Sequence, residues 1–369
     1  MKIKDIKATF HKHLFPIPFL DKRKDGSHMA ERRFVACRVE TDEGITGYGF
    51  TANFLQEPVV TALNQCFLPE VKDMDPRDLE KIHMVLGKEL NARCLTGVIS
   101  CAMSAFDIAL WDIIGKKEGR TVAQLLGGAR SDVPCYITFG VPAYSRDELA
   151  AAAKKHQKAG FTGFKMVAGR PNVGWREDAR RIRAVRNAIG PEADLMVDAN
   201  YAFSPREAKM LLTSVEDCKL TWFEEPVNQN DAAALADLRR ATNIPLSAGQ
   251  AEGNRWRFRE FLEHRSVDVL QPNVCFVGGF TEARKVAHMA QAYNLPIANG
   301  GGWPLLNMHL LAGMANGHLC EWHATLIDVQ ELIFKNPPKP KNSVISIPKK
   351  PGIGLDIDPD GLKESRVKV

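Results

Sequence analysis

Asp198, Glu224 and Gln250 end three short apolar runs, ADLMVD, TWFE and IPLSAGQ, and are spaced evenly, 26 residues apart. Oxygen-bearing side chains at strand ends, repeated at a helix-sized interval, are how a parallel barrel gathers a site at one face. Two carboxylates brought together in a dry interior resist ionisation unless a cation lies between them. All-oxygen ligation, with no His or Cys in these runs, favours Mg²⁺ over zinc. Gln250 offers one carbonyl oxygen but removes a negative charge, and Glu252, two residues on, is an alternative third ligand. A single strand-end acid is more often a helix cap or a solvated rim residue, so the spaced set carries the reading.

Lys165 lies in GFKMVAG, where period-two alternation turns it and Val167 inward. An inward lysine in an apolar strand is costly unless carboxylates pair with it. It is then either a proton carrier with a depressed pKa or a structural ion pair to Asp198 or Glu224. Other polar residues at strand ends are Asn200, Glu225, Asn273, Asn299 and Glu321, with Tyr201 and Trp303 placed to line a pocket. His28, in a polar loop, could enter such a site from above. His309, inside NMHLL, reads as a helix residue, and Cys275 as a buried thiol.

The elements that must position these groups alternate regularly from about Val133. Strand candidates are 135–139, 163–168, 194–198, 220–224, 244–248, 267–271, 295–298 and 319–322. Helical patterns fill the gaps, as in 146–159 and 205–215, the latter opened by Ser204 as cap and Pro205 at the first position. Eight strands with seven intervening helices predict an α/β chain, a (β/α)7β modification of the TIM barrel over residues 128–325. A doubly wound open sheet is the other arrangement of such a pattern, but no GxGxxG follows the first strand.

Residues 1–127 read as an α+β unit: three strands, with Asp42-Glu43-Gly44 as a hairpin turn, and then helices. The first two strands are separated by a long polar loop holding His11, His13 and His28, the kind that forms a lid. The clearest helix covers 97–116. Residues 326–369, rich in Pro, Lys and Gly, read as a surface tail that returns to the first unit.

Bulk properties narrow the function. In 369 residues the net charge is +5, and the basic stretches are short or broken by proline without interleaved aromatics, which argues against nucleic acid. Eight cysteines without a CxxC motif suit a reducing compartment. The amino-terminal stretch has no hydrophobic signal core, and no apolar run approaches a membrane span, so a cytoplasmic protein without a membrane partner is expected.

Five segments together give a more specific indication: ISCAMSAFDIALWDIIGKKEG (99–119), VDAN, FEEP, the QPN-x4-GG run (271–279) and CEWH (320–323). In this order the chain resembles the mandelate racemase/muconate lactonising branch of the enolase superfamily along its whole length. The resemblance implies an amino-terminal α+β capping domain on a (β/α)7β barrel, completed by the tail, and assembly as a homo-oligomer. It implies Mg²⁺ held by Asp198, Glu224 and Gln250, and abstraction of the proton α to a carboxylate. Lys165 matches the first lysine of the family's K-x-K motif, and Glu321 the residue that meets the substrate carboxylate.

Four positions depart from the family. The second lysine is Val167, the base histidine after the seventh strand is Asn299, its aspartate partner is Asn273, and the third metal ligand is Gln250. Each change removes a charge or a titrating group. Asn at both 273 and 299 could bond neutrally, to each other or to a hydroxyl-rich ligand. The expected function is β-elimination of water from a sugar acid, with Lys165 as base and Glu321 as acid. Asn200, Asn273, Asn299, Glu252 and His28 are the candidate substrate contacts. A racemase or cycloisomerase needs two acid/base groups on opposite faces, and a member that binds metal and carboxylate without turnover is the remaining alternative.

Overall fold

A computed structural model of the chain describes residues 1–17, 29–52, 54–169 and 173–367; His28 lies outside the described residues. Three antiparallel strands open the chain, β1 (Ile3–Pro16), β2 (Met29–Thr41) and β3 (Thr46–Ala52), in the order β1-β2-β3. β1 runs on past the expected loop boundary, so His11 and His13 are strand residues, paired with Phe34 and Arg32 of β2. Alternation carries His11 inward, where it stacks on Phe34 at 4.8 Å.

The helices that follow are α1 (Gln56–Thr61), a π-helical turn (Ala62–Phe67), α2 (Leu68–Val71), α3 (Leu79–Leu90), α4 (Val98–Glu118) and α5 (Val122–Leu126). The widened turn joins α1 to α2 without a break in the helical path. It sets Asn64 against the edge of β1, with its amide taking both the N–H (2.8 Å) and the carbonyl (3.2 Å) of Ala8. α4 is apolar and long enough, by length and composition, to cross a membrane, which corrects the expectation that no such run exists. Its apolar surface is spent inside the protein, against the sheet and the barrel. Gly47 and Gly49 allow the sheet to approach: a Cβ there would stand 2.1 Å from Ala109 O and 1.9 Å from Ala105 O.

The second half forms the predicted barrel. Its strands are β4 (Asp132–Gly140), β5 (Gly163–Val167), β6 (Asp194–Asp198), β7 (Trp222–Glu224), β8 (Leu246–Ala248), β9 (Val269–Leu270) and β10 (Cys320–His323). They are parallel in the order β10-β4-β5-β6-β7-β8-β9. The expected seventh strand is an extended segment rather than a full strand, and Ile297 closes the ring by bridging Leu270 on one side and Gly317 on the other. The outer helices are α6 (Arg146–Lys158), α7 (Trp175–Ile189), α8 (Pro205–Ser214), α9 (Ala232–Arg240), α10 (Asn254–His264), α11 (Gly279–Ala292) and α12 (Pro304–Gly313). Ser204 and Glu207 form the capping box that starts α8.

The last segment carries α13 (Ile327–Ile333), β11 (Phe334–Lys335), β12 (Val344–Ser346), β13 (Asp356–Ile357) and α14 (Pro359–Ser365). β12 pairs antiparallel with the start of β4 at the barrel, and β11 pairs with β13. The end of the chain reaches the first sheet, where Arg366 bridges His11.

Candidate active site at the barrel mouth

The strand ends bring Lys165, Asp198, Glu224 and Glu321 together. The Lys165 ammonium lies 2.8 Å from Glu224, 2.9 Å from Glu321 and 3.6 Å from Asp198, with every member buried. Burial opposes its charge, but the Glu224 and Glu321 carboxylates outweigh that and hold its pKa well above the usual lysine range. Burial would likewise raise Glu321, yet Lys165 and a Thr138 hydroxyl at 2.6 Å hold it down at about 2. Glu224 has more acid around it than cation. Burial, with Asp198 and Glu321 adding their charge, pushes it up to about 8 although Lys165, Gln271 and Trp222 all donate to it.

Burial also lifts Asp198 to about 6 and, with Glu224 beside it, Glu225 to about 7. Gln250 joins these two: its amide nitrogen lies 2.7 Å from Glu225 and 3.2 Å from Asp198. Asn200, Tyr201 and Glu225 sit just beyond strand ends at φ of 43°, 63° and 44°. That conformation is costly away from glycine and persists where surroundings over-determine it. Glu225 was noted in the sequence only as a neighbour of Glu224; its signal was the doubled acid of FEEP.

The residues present fit a divalent cation. Three buried carboxylates resist ionisation for want of positive charge, and Asp198 and Glu224 offer oxygens that suit Mg²⁺. Gln250 here turns its amide nitrogen toward Asp198 and would have to rotate to offer its oxygen. Among the described residues no three His, Cys, Asp or Glu side chains converge as a ready ligand group.

A cavity of about 440 Å³ opens above this cluster, lined among others by Arg32, Val167, Asp198, Asn200, Tyr201, Gln250, Glu321 and His323. Lys165 and Glu224 are not on its wall. A larger cleft, about 690 Å³, lies between α3, α4, α10 and α11 and contains none of these groups. Asn200 is on the wall of the smaller cavity.

Asn273 and Asn299 are not on the wall. Both are fully buried and both donate to the Gly302 carbonyl, at 3.4 and 2.9 Å. Their oxygens accept from the backbone N–H groups of Cys275 and Glu321. The amides therefore tie the Gly300–Gly302 loop to the strands, and neither bonds the other. Glu252 is turned aside by Arg257 and Asn230 and lines a neighbouring cleft, away from Asp198 and Glu224. Trp303 packs into the core on Phe50, 5.7 Å away, and is no part of the wall. His309 lies on α12 and Cys275 is buried.

Two residues on the wall were missed in the sequence. Arg32 crosses from β2 of the first sheet and donates to Thr325, through Nε at 3.2 Å and also through Nη2. His323 follows Glu321 on the same face of β10, and Thr325 caps its Nδ1. The signal for His323 was the period of two in CEWH. Arg32 had none, because its role depends on how two distant segments dock.

Comparison with known proteins agrees with this geometry. Residues 25–127 match the family described as Mandelate racemase / muconate lactonizing enzyme, N-terminal domain, and residues 148–361 match Enolase C-terminal domain-like. The chain belongs to the mandelate racemase/muconate lactonizing enzyme branch of the enolase superfamily. It is 31% identical to D-galactarolactone cycloisomerase of Agrobacterium fabrum, over 100% of this chain and 99% of that one. It is 29% identical to arabinonate dehydratase of Saccharolobus solfataricus, over 90% and 91% of the two chains. Among solved structures, a racemase from Streptomyces coelicolor A3(2) with bound magnesium superposes with a TM-score of 0.89 at 26% identity, covering 99% of this chain and 100% of that one.

Proposed function

We propose that the protein is a Mg²⁺-dependent lyase of the acid-sugar dehydratase type, which removes the proton α to a carboxylate and expels the β-hydroxyl as water. The observation that carries this reading is the Lys165–Glu321 pair, two proton carriers 2.9 Å apart at the base of the mouth cavity, whose wall includes Glu321. Relatives named as arabinonate and D-galactonate dehydratases support the class.

The reaction needs a neutral amine and a neutral carboxyl. One proton passing from Lys165 Nζ to Glu321 Oε1 produces both. The amine then takes the α-proton and is an ammonium again, while the carboxyl protonates the departing β-hydroxyl and is a carboxylate again. The pair ends as it began, and the substrate has lost one water to give an enol that rearranges to a 2-keto acid. Asn200 is the wall residue suited to hold a substrate hydroxyl. Asp198, Glu224 and Gln250 would hold the Mg²⁺, whose chemistry when bound is to stabilise the negative charge left as the α-proton departs.

The test is incubation with Mg²⁺ and a panel of sugar acids in D₂O, following loss of the α-proton signal and growth of 2-keto acids. Exchange with at least one acid is expected, and its absence across the panel would overturn the reading. One observation favours a second reading, a carboxylate-binding protein without turnover: Lys165 and Glu321 hold each other in the ionic forms, neither of which is the reactive one. Ligand-induced thermal shifts without exchange would select it.

A further inference from the structure

His323 is the imidazole on the wall of the mouth cavity, beside Glu321 and Arg32 and on the same cavity as Val167, where the family's second lysine is missing. A histidine in that place invites the role of the absent base. A base must turn a bare nitrogen toward the substrate, and two independent contacts decide which nitrogen is bare.

The backbone N–H of Thr325 reaches His323 Nδ1 at 3.3 Å, and a backbone amide can only donate. The Thr325 hydroxyl reaches the same nitrogen at 3.0 Å. That hydroxyl already accepts from Arg32, whose guanidinium has no acceptor to offer, so its own hydrogen is directed to the ring. Nδ1 therefore bears no proton, and the ring proton resides on Nε2. Adding a proton at Nδ1 would oppose both donors as well as the Arg32 charge; burial, with Arg32 and Lys165, outweighs the pull of the Glu321 carboxylate and lowers the ring's pKa to about 3. Among the described residues only Nδ1 has a hydrogen-bond partner, which leaves the Nε2–H edge for the cavity.

We infer that His323 is a fixed hydrogen-bond donor, a neutral imidazole presenting Nε2–H to an acceptor oxygen of the substrate, and that it is not a base. Arg32 and Thr325 are the positioning residues that fix its tautomer. The ligand chemistry is an oxygen with a free lone pair, from a hydroxyl or from a carboxylate. The substrate half of this inference rests on the sugar-acid reading above. It makes His323 a specificity-determining residue: an analogue with hydrogen in place of that oxygen would leave the N–H unpaired.

The tautomer is read directly on the wild-type protein labelled with ¹⁵N-histidine, by long-range proton–nitrogen correlation. One ring, identified by its loss in H323Q, should show a protonated Nε2 and a bare Nδ1 from about pH 5.5 to about pH 9. A protonated Nδ1, or an imidazolium within that range, would overturn the inference. α-Proton exchange on galactonate (one carboxylate) and galactarate (two) provides the second arm. H323Q, whose amide keeps an N–H donor, should lose less than about tenfold in kcat/KM, and H323F about a hundredfold, carried mostly by KM. A preference confined to galactarate assigns the acceptor to a carboxylate, and turnover of both assigns it to a hydroxyl. Equal abolition of exchange by both variants would overturn the inference, because a base rather than a donor would be missing. Absence of exchange in the wild type would remove the dehydratase reading, and the tautomer spectrum would then decide this inference alone.

Discussion

Gln250 donates its amide N–H to Glu225 across 2.7 Å, and the same nitrogen stands 3.2 Å from Asp198. A neutral donor thus separates two buried carboxylates at the point where the family places a third acid. Replacing it, Gln250→Glu, sets a carboxylate against both. Without added metal we expect a loss of about 3 kcal/mol, the order found for an uncompensated buried charge. Millimolar Mg²⁺ should restore most of it and shift Tm upward more than in the wild type. Melting in chelator and in Mg²⁺ checks this; an equal loss in both would show that no cation collects there.

Lys165 is the ammonium shared by Glu224, Glu321 and Asp198. Lys165→Met removes the positive member and leaves the acids to protonate or repel. A destabilisation of about 3–5 kcal/mol is expected by urea unfolding, smaller below pH 5 where the acids are neutralised. α-Proton exchange should fall to background even in folded protein. Retained exchange would assign the proton transfer to another group.

Glu225 gives the pH dependence its sign. Burial and Glu224 hold its folded pKa at about 7, above the roughly 4.3 of an unfolded glutamate. The folded form therefore keeps a proton that the unfolded form has lost, so its contribution is fully present below about pH 4.3 and is lost as pH rises toward 7. Metal-free stability should fall across that window by about 1.4 kcal/mol per pH unit at most from this residue. Urea midpoints from pH 5 to 8 test it, and Glu225→Gln should flatten the slope.

Asn273 aims its amide nitrogen at the carbonyls of Gly300, at 2.7 Å, and Gly302. Restoring the family residue by Asn273→Asp would turn an acceptor toward two acceptors in a buried place. A loss of about 2–4 kcal/mol follows from the unsatisfied carbonyls and the buried charge. Asn273→Asp combined with Asn299→His should recover part of this if the two positions are coupled. Chemical denaturation of the single and double variants measures that coupling.

Much of this arrangement could be read from residue order. The apolar runs before Asp198 and Glu224, and the inward register of Lys165, follow from a period of two. The barrel follows from the alternation around them, down to the position, though not the shortness, of the seventh strand. Side-chain direction beyond the backbone was not legible. Nothing in the order of residues says that Glu252 turns to Arg257, or that Asn273 and Asn299 both serve the Gly302 carbonyl. Arg32 joins the wall through docking of two segments nearly 300 residues apart, a relationship local patterns do not encode. β1 outran its predicted end because it stays paired with β2 as far as Pro16, and along it His11 meets a buried partner that only the far end of the chain supplies.

That partner has a consequence for biosynthesis. His11 Nδ1 meets Ser365 Oγ at 3.0 Å, and Val367 bonds the backbone of Phe10, so one edge of the first sheet is completed by residues made some 354 positions later. While the ribosome is still translating the barrel, this edge must wait with its buried histidine uncovered. The sheet is made before the barrel yet is closed after it, and a nascent chain stalled before residue 360 should leave that edge open to protease.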